Sequence, residues 1–181
     1  MIAEALLACA LNVHPATLER IIGVESGGKP YALHINHYEG PQPRNIDNAQ
    51  DAAMLAKVYI AAGFNVDIGE MQVNSRNLPA LGYTVEDALD PCKNIAAGGI
   101  ILSAFYTDAV QQYGEGQKAL VAALSAYNTG SFWKGVENGY VARVAGIPNI
   151  PLGDMRGPAP PMQHVRLVAA VRRHNSDMDV W

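Results

Sequence analysis

Aromatic residues are scarce in this chain: Phe, Trp and Tyr make up only 7% of 181 residues. With β-branched runs also short and alanine abundant, an α-rich fold is favoured over an all-β one. Charge is sparse too, at 17% of residues, and its balance is −4. That excludes a broad basic field of the kind that holds nucleic acid. No apolar run approaches the roughly 20 residues that cross a bilayer, so no integral membrane segment is expected. The first stretch, MIAEALLACAL, is apolar but short, carries Glu4, and has no Lys or Arg ahead of it. A secretory signal starts basic and has a longer apolar centre. The stretch therefore reads as a first helix packed on the core. Leu6 to Cys9, LLAC, faintly resembles a lipoprotein cleavage box but sits too close to Met1. Only two cysteines are present, Cys9 and Cys92. Composition leaves buried thiols and a disulfide equally open.

What the chain has in quantity is apolar surface, at 49% of its residues, enough for a sizeable core. The length predicts one domain with an appendage. Leu18, Ile21, Ile22 and Val24 follow helical spacing after His14-Pro15, and Gly27-Gly28 stops that helix. Residues 31–46 read as an irregular loop or a small hairpin. A second helix is predicted from about Asp47 to Ala62. FNVDIGEMQVN, at 64–74, then reads as a loop with one glycine. Asn74 or Ser75 caps a short helix ended by Gly82, and Thr84 starts another. The longest helix runs from Pro91 or Cys92 to about Tyr113, and its Gly98-Gly99 pair suggests close approach by another element. Helices at Gln117–Tyr127 and Gly139–Ala145 follow. From Pro148 the chain turns Pro-rich, as a linker or surface-hugging arm, then offers a short helix at 162–174 and a tail ending in Trp181. The domain boundaries are accordingly 1–147 and 148–181.

Three segments place polar groups beside apolar helices. They are Val24-Glu25-Ser26-Gly27, Gly69-Glu70-Met71-Gln72-Val73-Asn74, and Ala126-Tyr127-Asn128-Thr129-Gly130. Convergence of such segments would line a cleft with one carboxylate, amides and a phenol. Amides hydrogen-bond hydroxyls and aromatic faces stack on sugar rings, so the set suits a neutral polyhydroxylated substrate. Glu25 stands at the C-terminal end of an apolar helix, where the dipole and an apolar surround disfavour its charge. A carboxyl kept protonated near neutral pH is a general acid.

In this order ES, GxMQ followed by Asn, AYNxG and GYV are a specific set. Together they resemble the goose-type-lysozyme-like lytic transglycosylases. QPRNI at 42–46, NLPALG at 77–82 and DPCKN at 90–94 are similar to the subgroup that accompanies type IV secretion and conjugation machines. The resemblance covers about residues 3–147. It implies a mainly α, lysozyme-like catalytic domain with a small irregular or β-hairpin region and a Pro-rich C-terminal extension.

The resemblance implies that Glu25 is the catalytic acid/base. It would protonate the glycosidic oxygen between N-acetylmuramic acid and N-acetylglucosamine. Back as a base, it would take the proton of the same sugar's C6 hydroxyl, which closes a 1,6-anhydro ring without water. Met71, Gln72, Tyr127 and Asn128 would line the sugar subsites, and Tyr140 would hydrogen-bond the catalytic glutamate. Ser26 would shape the turn. The subgroup also implies a Cys9–Cys92 disulfide and a periplasmic location reached by export. Peptidoglycan strands are the implied partner, with secretion-apparatus subunits contacted through residues 148–181.

No cofactor and no metal are expected. His34 and His37 form H-x-x-H without a third ligand and read as solvated loop residues. Asp67 is expected to brace its own loop and Glu70 to face solvent, although either as a second acid would allow hydrolysis. Tyr31, Tyr38, Phe132 and Trp133 divide between sugar platforms and core. Two alternatives stand beside the leading one: a muramidase that uses water, and a glycan-binding assembly factor of the secretion machine.

Overall fold

The computed structural model describes residues 4–148. The expectations placed on the extension beyond residue 148, its helix and Trp181 lie outside the described residues. The chain divides into two compact units, residues 1–99 and 100–181. The expected mainly α architecture is found, with one small antiparallel sheet.

The first unit opens with α1 (Glu4–Leu7) and α2 (Pro15–Glu25). Helix α2 starts where the sequence places it. Pro15 occupies the first turn and the His14 ring nitrogen accepts from the Ala16 N–H at 3.2 Å. Its Leu18, Ile21 and Ile22 are completely buried. Helix α3 (Ala49–Ala61) is capped by Asn48, whose Oδ1 accepts from the Asp51 N–H at 2.9 Å. Ala52, Ala53 and Ala56 form its buried face.

The sheet differs from the sequence expectation. Residues 31–46 do not close a hairpin on themselves, and 64–74 is not a plain loop. Instead β1 (Leu33–Ile35) pairs with β2 (Val66–Ile68), which turns directly into β3 (Val73–Asn74). Leu33 faces Ile68, and Ile35 faces Val66. Two or three residues are too few for alternation to register in the sequence, and the β1 partner lies about 30 positions away.

After β3 a 3₁₀ turn (Ser75–Asn77) leads into α4 (Leu78–Leu81), which Gly82 ends in the left-handed region at φ 69°. Helix α5 (Val85–Ala88) carries a capping box between Thr84 and Asp87. Lys93 and the Thr84 donors hold the Asp87 carboxyl down to about 2. Helix α6 (Pro91–Tyr113) contributes its first turns to this unit. Cys9 and Cys92 are joined by a disulfide with Cα atoms 5.4 Å apart. It spans 83 positions, a closure worth about 4 kcal/mol in the chain-entropy account. The glycine pair in α6 has the expected cause. A methyl group on Gly98 would lie 2.5 Å from the Met71 Cε, and one on Gly99 would lie 2.8 Å from the Ala10 Cβ.

The second unit holds the rest of α6, then α7 (Gln117–Thr129), α8 (Lys134–Glu137) and α9 (Tyr140–Ala145). Helix α8 has no counterpart in the sequence reading: four residues entered from Trp133 carry no side-chain cap. Tertiary contact holds it in place. The buried Ser125 hydroxyl accepts from the Gly135 N–H at 2.8 Å and donates to the Ser131 carbonyl at 2.6 Å. A methyl group on Gly135 would come within 2.6 Å of the Ser125 Cα. Phe132 is buried edge-on to Tyr113, with ring centroids 5.8 Å apart. It is therefore core, not a sugar platform.

Candidate functional site

In the first unit Glu25 is the last residue of α2 and is half-buried. The chain then turns on Gly27 and Gly28, both at positive φ. Ser26 is spent on that turn. Its hydroxyl donates to the Ile22 carbonyl at 3.2 Å and accepts from the Gly28 N–H at 3.1 Å.

The tight loop Gly69–Gln72 joins β2 to β3. Met71 at its centre is fully buried and rests on Gly98. The resemblance implied a subsite-lining role; the side chain is buried against Gly98. Gln72 is half-buried and takes a left-handed backbone at φ 48°. That is uncommon for a residue with a side chain. Two side-chain hydrogen bonds hold it there. Its Nε2 donates to the Gly69 carbonyl at 2.8 Å and to the Ala32 carbonyl at 3.3 Å. Carbonyl oxygens accept only, so these partners fix which end of the amide is which. The NH₂ end is committed to the backbone, and the Oε1 end is presented as an acceptor.

Asn94, from the first turn of α6, holds the loop from below, a role the sequence reading did not assign. Its Oδ1 accepts from the Met71 N–H at 2.8 Å. Its Nδ2 donates to the Ile68 carbonyl at 2.8 Å and to the Ala88 carbonyl at 2.7 Å. Asn94 is almost wholly buried. Its amide also occupies the space a Gly69 side chain would need, 2.4 Å away, and Gly69 has φ 78° besides. Asn94 stands in the DPCKN segment that carried part of the family resemblance. Its proximity to residues 68 and 71 comes from the fold and is not visible in the spacing.

Glu70 corrects an expectation. It does not face solvent: only 4% of its surface is exposed, and its Oε2 is buried without a hydrogen-bond partner. Burial pushes its carboxyl upward, toward the neutral form. Asp67 is the opposite case and behaves as expected. Asn36 and Asn74 donate to its two oxygens at 2.8 and 2.7 Å, so it braces the sheet. Tyr38 packs edge-on with Tyr59 and Phe64, with centroids 5.1 and 5.6 Å away. Among the described residues no group of three or more His, Cys, Asp or Glu could hold a metal ion.

In the second unit Tyr127 is half-buried and Asn128 exposed, both in the last turn of α7. Gly130 closes that helix in the left-handed region at φ 69°. Tyr140 opens α9 and is only 1% exposed. The Arg143 guanidinium lies 6.0 Å from the centroid of its ring. Asn138 links the end of α8 to both neighbours. Its Oδ1 accepts from the Tyr140 N–H at 2.9 Å, and its Nδ2 donates to the Asn128 Oδ1 at 2.9 Å.

A family described as the transglycosylase SLT domain matches residues 4–145. Among curated proteins the chain is similar to Protein virB1 of Agrobacterium fabrum, 38% identical over 136 residues, which is 75% of this chain and 54% of that protein. The type IV secretion system protein virB1 of Brucella abortus is 41% identical over 128 residues, covering 70% of this chain and 53% of its own length. Protein virB1 of Rhizobium radiobacter is 39% identical over 136 residues, 75% of this chain and 56% of its own. The chain thus spans about half the length of the curated relatives it matches. No solved structure matches significantly.

Proposed function

Because the chain belongs to the transglycosylase SLT family, we propose that it is a peptidoglycan lytic transglycosylase that opens the wall locally for a type IV secretion or conjugation apparatus. Glu25 is the acid/base of this reading. The observation that carries it is the placement of that carboxyl: half-buried, last in α2, and followed by a turn that Ser26 and two glycines shape. The partial negative charge at a helix C-terminus favours the neutral acid, the form that can donate.

Protonation of the glycosidic oxygen breaks its bond to C1 of the muramoyl sugar, and an oxocarbenium-like centre develops there. Glu25, now a carboxylate, takes the proton of the C6 hydroxyl as that oxygen bonds to C1. The proton gained equals the proton given, so one carboxyl serves both steps and no water is consumed. An intramolecular hydroxyl has a high effective concentration, which lets ring closure outrun hydrolysis. Gln72 offers the glycan an acceptor and Asn128 an amide. Tyr127 and Tyr140 complete the set that the resemblance assigns, and residues 1–147 act as the catalytic domain.

The Brucella abortus relative is named as a type IV secretion system protein, and the wall layer that such an apparatus crosses is where this substrate lies. A disulfide suits the oxidising periplasm. Among the described residues no helix is long and apolar enough to cross a membrane. Residues 148–181 are the proposed contact with apparatus subunits.

One observation favours a second reading. Glu70 is a second carboxyl, two residues before Gln72. A hydrolytic muramidase would need such a group in its ionised form to direct water, against the pull of its burial. Mass spectrometry of products from purified sacculi separates the readings, since the anhydro sugar is lighter by one water. Glu25→Gln should cut product of either kind by about 10²–10⁴-fold, and full activity in that variant overturns both.

A further inference from the structure

Gln42 heads the QPRNI segment, to which the proposed reaction gives no task. Its side chain meets a single backbone residue with both ends of its amide. The Ile35 N–H donates to Gln42 Oε1 at 2.8 Å, and Gln42 Nε2 donates to the Ile35 carbonyl at 2.9 Å. A residue of an adjoining antiparallel strand would make the same pair of bonds. Strand β1 has such a place to fill, since it lies at one edge of the sheet with β2 on its other side. The Gly69 N–H donates to the Ala32 carbonyl at 2.8 Å, and the Asn36 N–H to the Asn65 carbonyl at 2.9 Å. Bonding alternates along an antiparallel pair, so residues 32, 34 and 36 face β2 and Ile35 turns its N–H and C=O outward. Backbone from 41–43 suits that place poorly, because Pro41 and Pro43 have no N–H to give. The half-buried Gln42 supplies both groups from its side chain instead. The chain returns to Ile35 by reversing at His37, at φ 58°, and by packing Tyr38 on Tyr59 and Phe64.

Strand β1 is also the footing of two residues given roles above. The Ala32 carbonyl, just before the strand, accepts from the Gly69 N–H and, at 3.3 Å, from Gln72 Nε2. Only residues 26–31 join Ala32 to Glu25. Glu25 is thus tied to that point through the chain, and Gln72 through hydrogen bonds. Buried Leu33 and Ile35 specify the register of β1, but a three-residue edge strand has few bonds to keep it seated. Without the clamp, the outward Ile35 groups stay unpaired unless the strand moves to admit water. We infer that Gln42 is a positioning residue: standing in for an adjoining strand, it keeps β1 seated against β2 and so fixes where Gln72 lies relative to Glu25. This rests on the transglycosylase reading, in which both act on one glycan. A displacement of about 1 Å between such groups can cost about a hundredfold in rate.

Gln42→Met tests this, since methionine keeps the length of the side chain and loses both bonds. On purified sacculi, well below the melting temperature, kcat should fall about tenfold while KM stays within about twofold. The Gly69 N–H, on the far side of β1 from residue 42, should exchange with solvent about tenfold faster. In a Gln72→Met background, Gln42→Met should lower kcat no further. Gln42→Glu keeps an acceptor for the Ile35 N–H and sets a second oxygen against the Ile35 carbonyl. It should act in the same direction, and it carries the test if the methionine variant does not fold. Asn48→Ala, which removes only the cap of α3, should lower the melting temperature and leave kcat unchanged.

A purely structural Gln42 predicts the contrary: its variants lose melting temperature as Asn48→Ala does, while kcat and Gly69 exchange keep their wild-type values. That result overturns the inference, as does a Gln42→Met loss that persists in full when residue 72 is methionine. If the wild-type protein releases no anhydro product from sacculi, the transglycosylase reading falls and takes this inference with it. If it does release that product and Gln42→Met turns over at the wild-type rate, the inference alone falls.

Discussion

Two amides, one in each unit, are held by opposite ends. Gln72 in the first unit gives its NH₂ to two backbone carbonyls and presents an oxygen. Asn128 in the second gives its oxygen to Asn138 and presents an NH₂. The supports differ as well. The Gly69–Gln72 loop rests on buried Asn94 and buried Met71, and a disulfide holds the helix beneath it. The Asn128 contact lies on the exposed surface. A polar contact buried away from water is costly to break, while an exposed one is replaced by solvent at little cost. The first region should therefore fail through stability and the second through recognition.

The largest expected effect separates chemistry from binding. Glu25→Gln should cut glycan cleavage by about 10²–10⁴-fold, as loss of a general acid does, with an unchanged melting temperature. Asn128→Ala should cost no more than about tenfold, as a shift in KM. Comparable losses of kcat in the two variants would break the distinction. Next, replacing Cys9 and Cys92 together by serine should destabilise the first unit by about 4 kcal/mol. Thermal unfolding with and without reductant reads this, and the serine variant should not respond to reductant.

Asn94→Leu should follow at about 3 kcal/mol, because it strands the Met71 N–H and two carbonyls in the interior. Glu70 should move stability the other way. Its carboxyl is raised by burial, so folding favours the protonated form. The group's contribution is complete below the ordinary glutamate range and is lost as pH rises through the raised value. Glu70→Gln should therefore raise the melting temperature at pH 7 and above, by a few degrees for about 1–3 kcal/mol. The gap should close on acidification to below the usual glutamate range. A gap that widens in acid would show that Glu70 gains a partner when ionised. Smallest of all, Asn138→Ser should change stability by no more than about 0.5 kcal/mol.

The same contrast explains what the sequence revealed. Helix starts at His14 and Thr84 and the stop at Gly82 were legible, since each depends on chemistry within four residues. The position of Glu25 was legible because a helix end and a glycine turn are local too. Strand β1 was not, since its partner lies about 30 positions away and only three residues pair. Helix α8 was missed because Ser125 and Gly135, not a cap, hold it. Asn94 could be seen as part of a motif but not as the prop under Met71. Glu70 was misjudged because a glutamate in a turn is ordinarily solvated, and its burial comes from packing no local pattern encodes.

A side chain at 98 and the side chain of Met71 would compete for one space, since a methyl group on Gly98 would come within 2.8 Å of the Met71 Cβ and Cγ. Their sizes are thus a single inherited quantity, divided across a helix and a loop. In any descendant of this chain that keeps the loop in place, a bulkier residue at 98 requires a slimmer one at 71. Neither site can drift alone, and a chimera that takes its loop from one relative and its long helix from another inherits a collision or a hole.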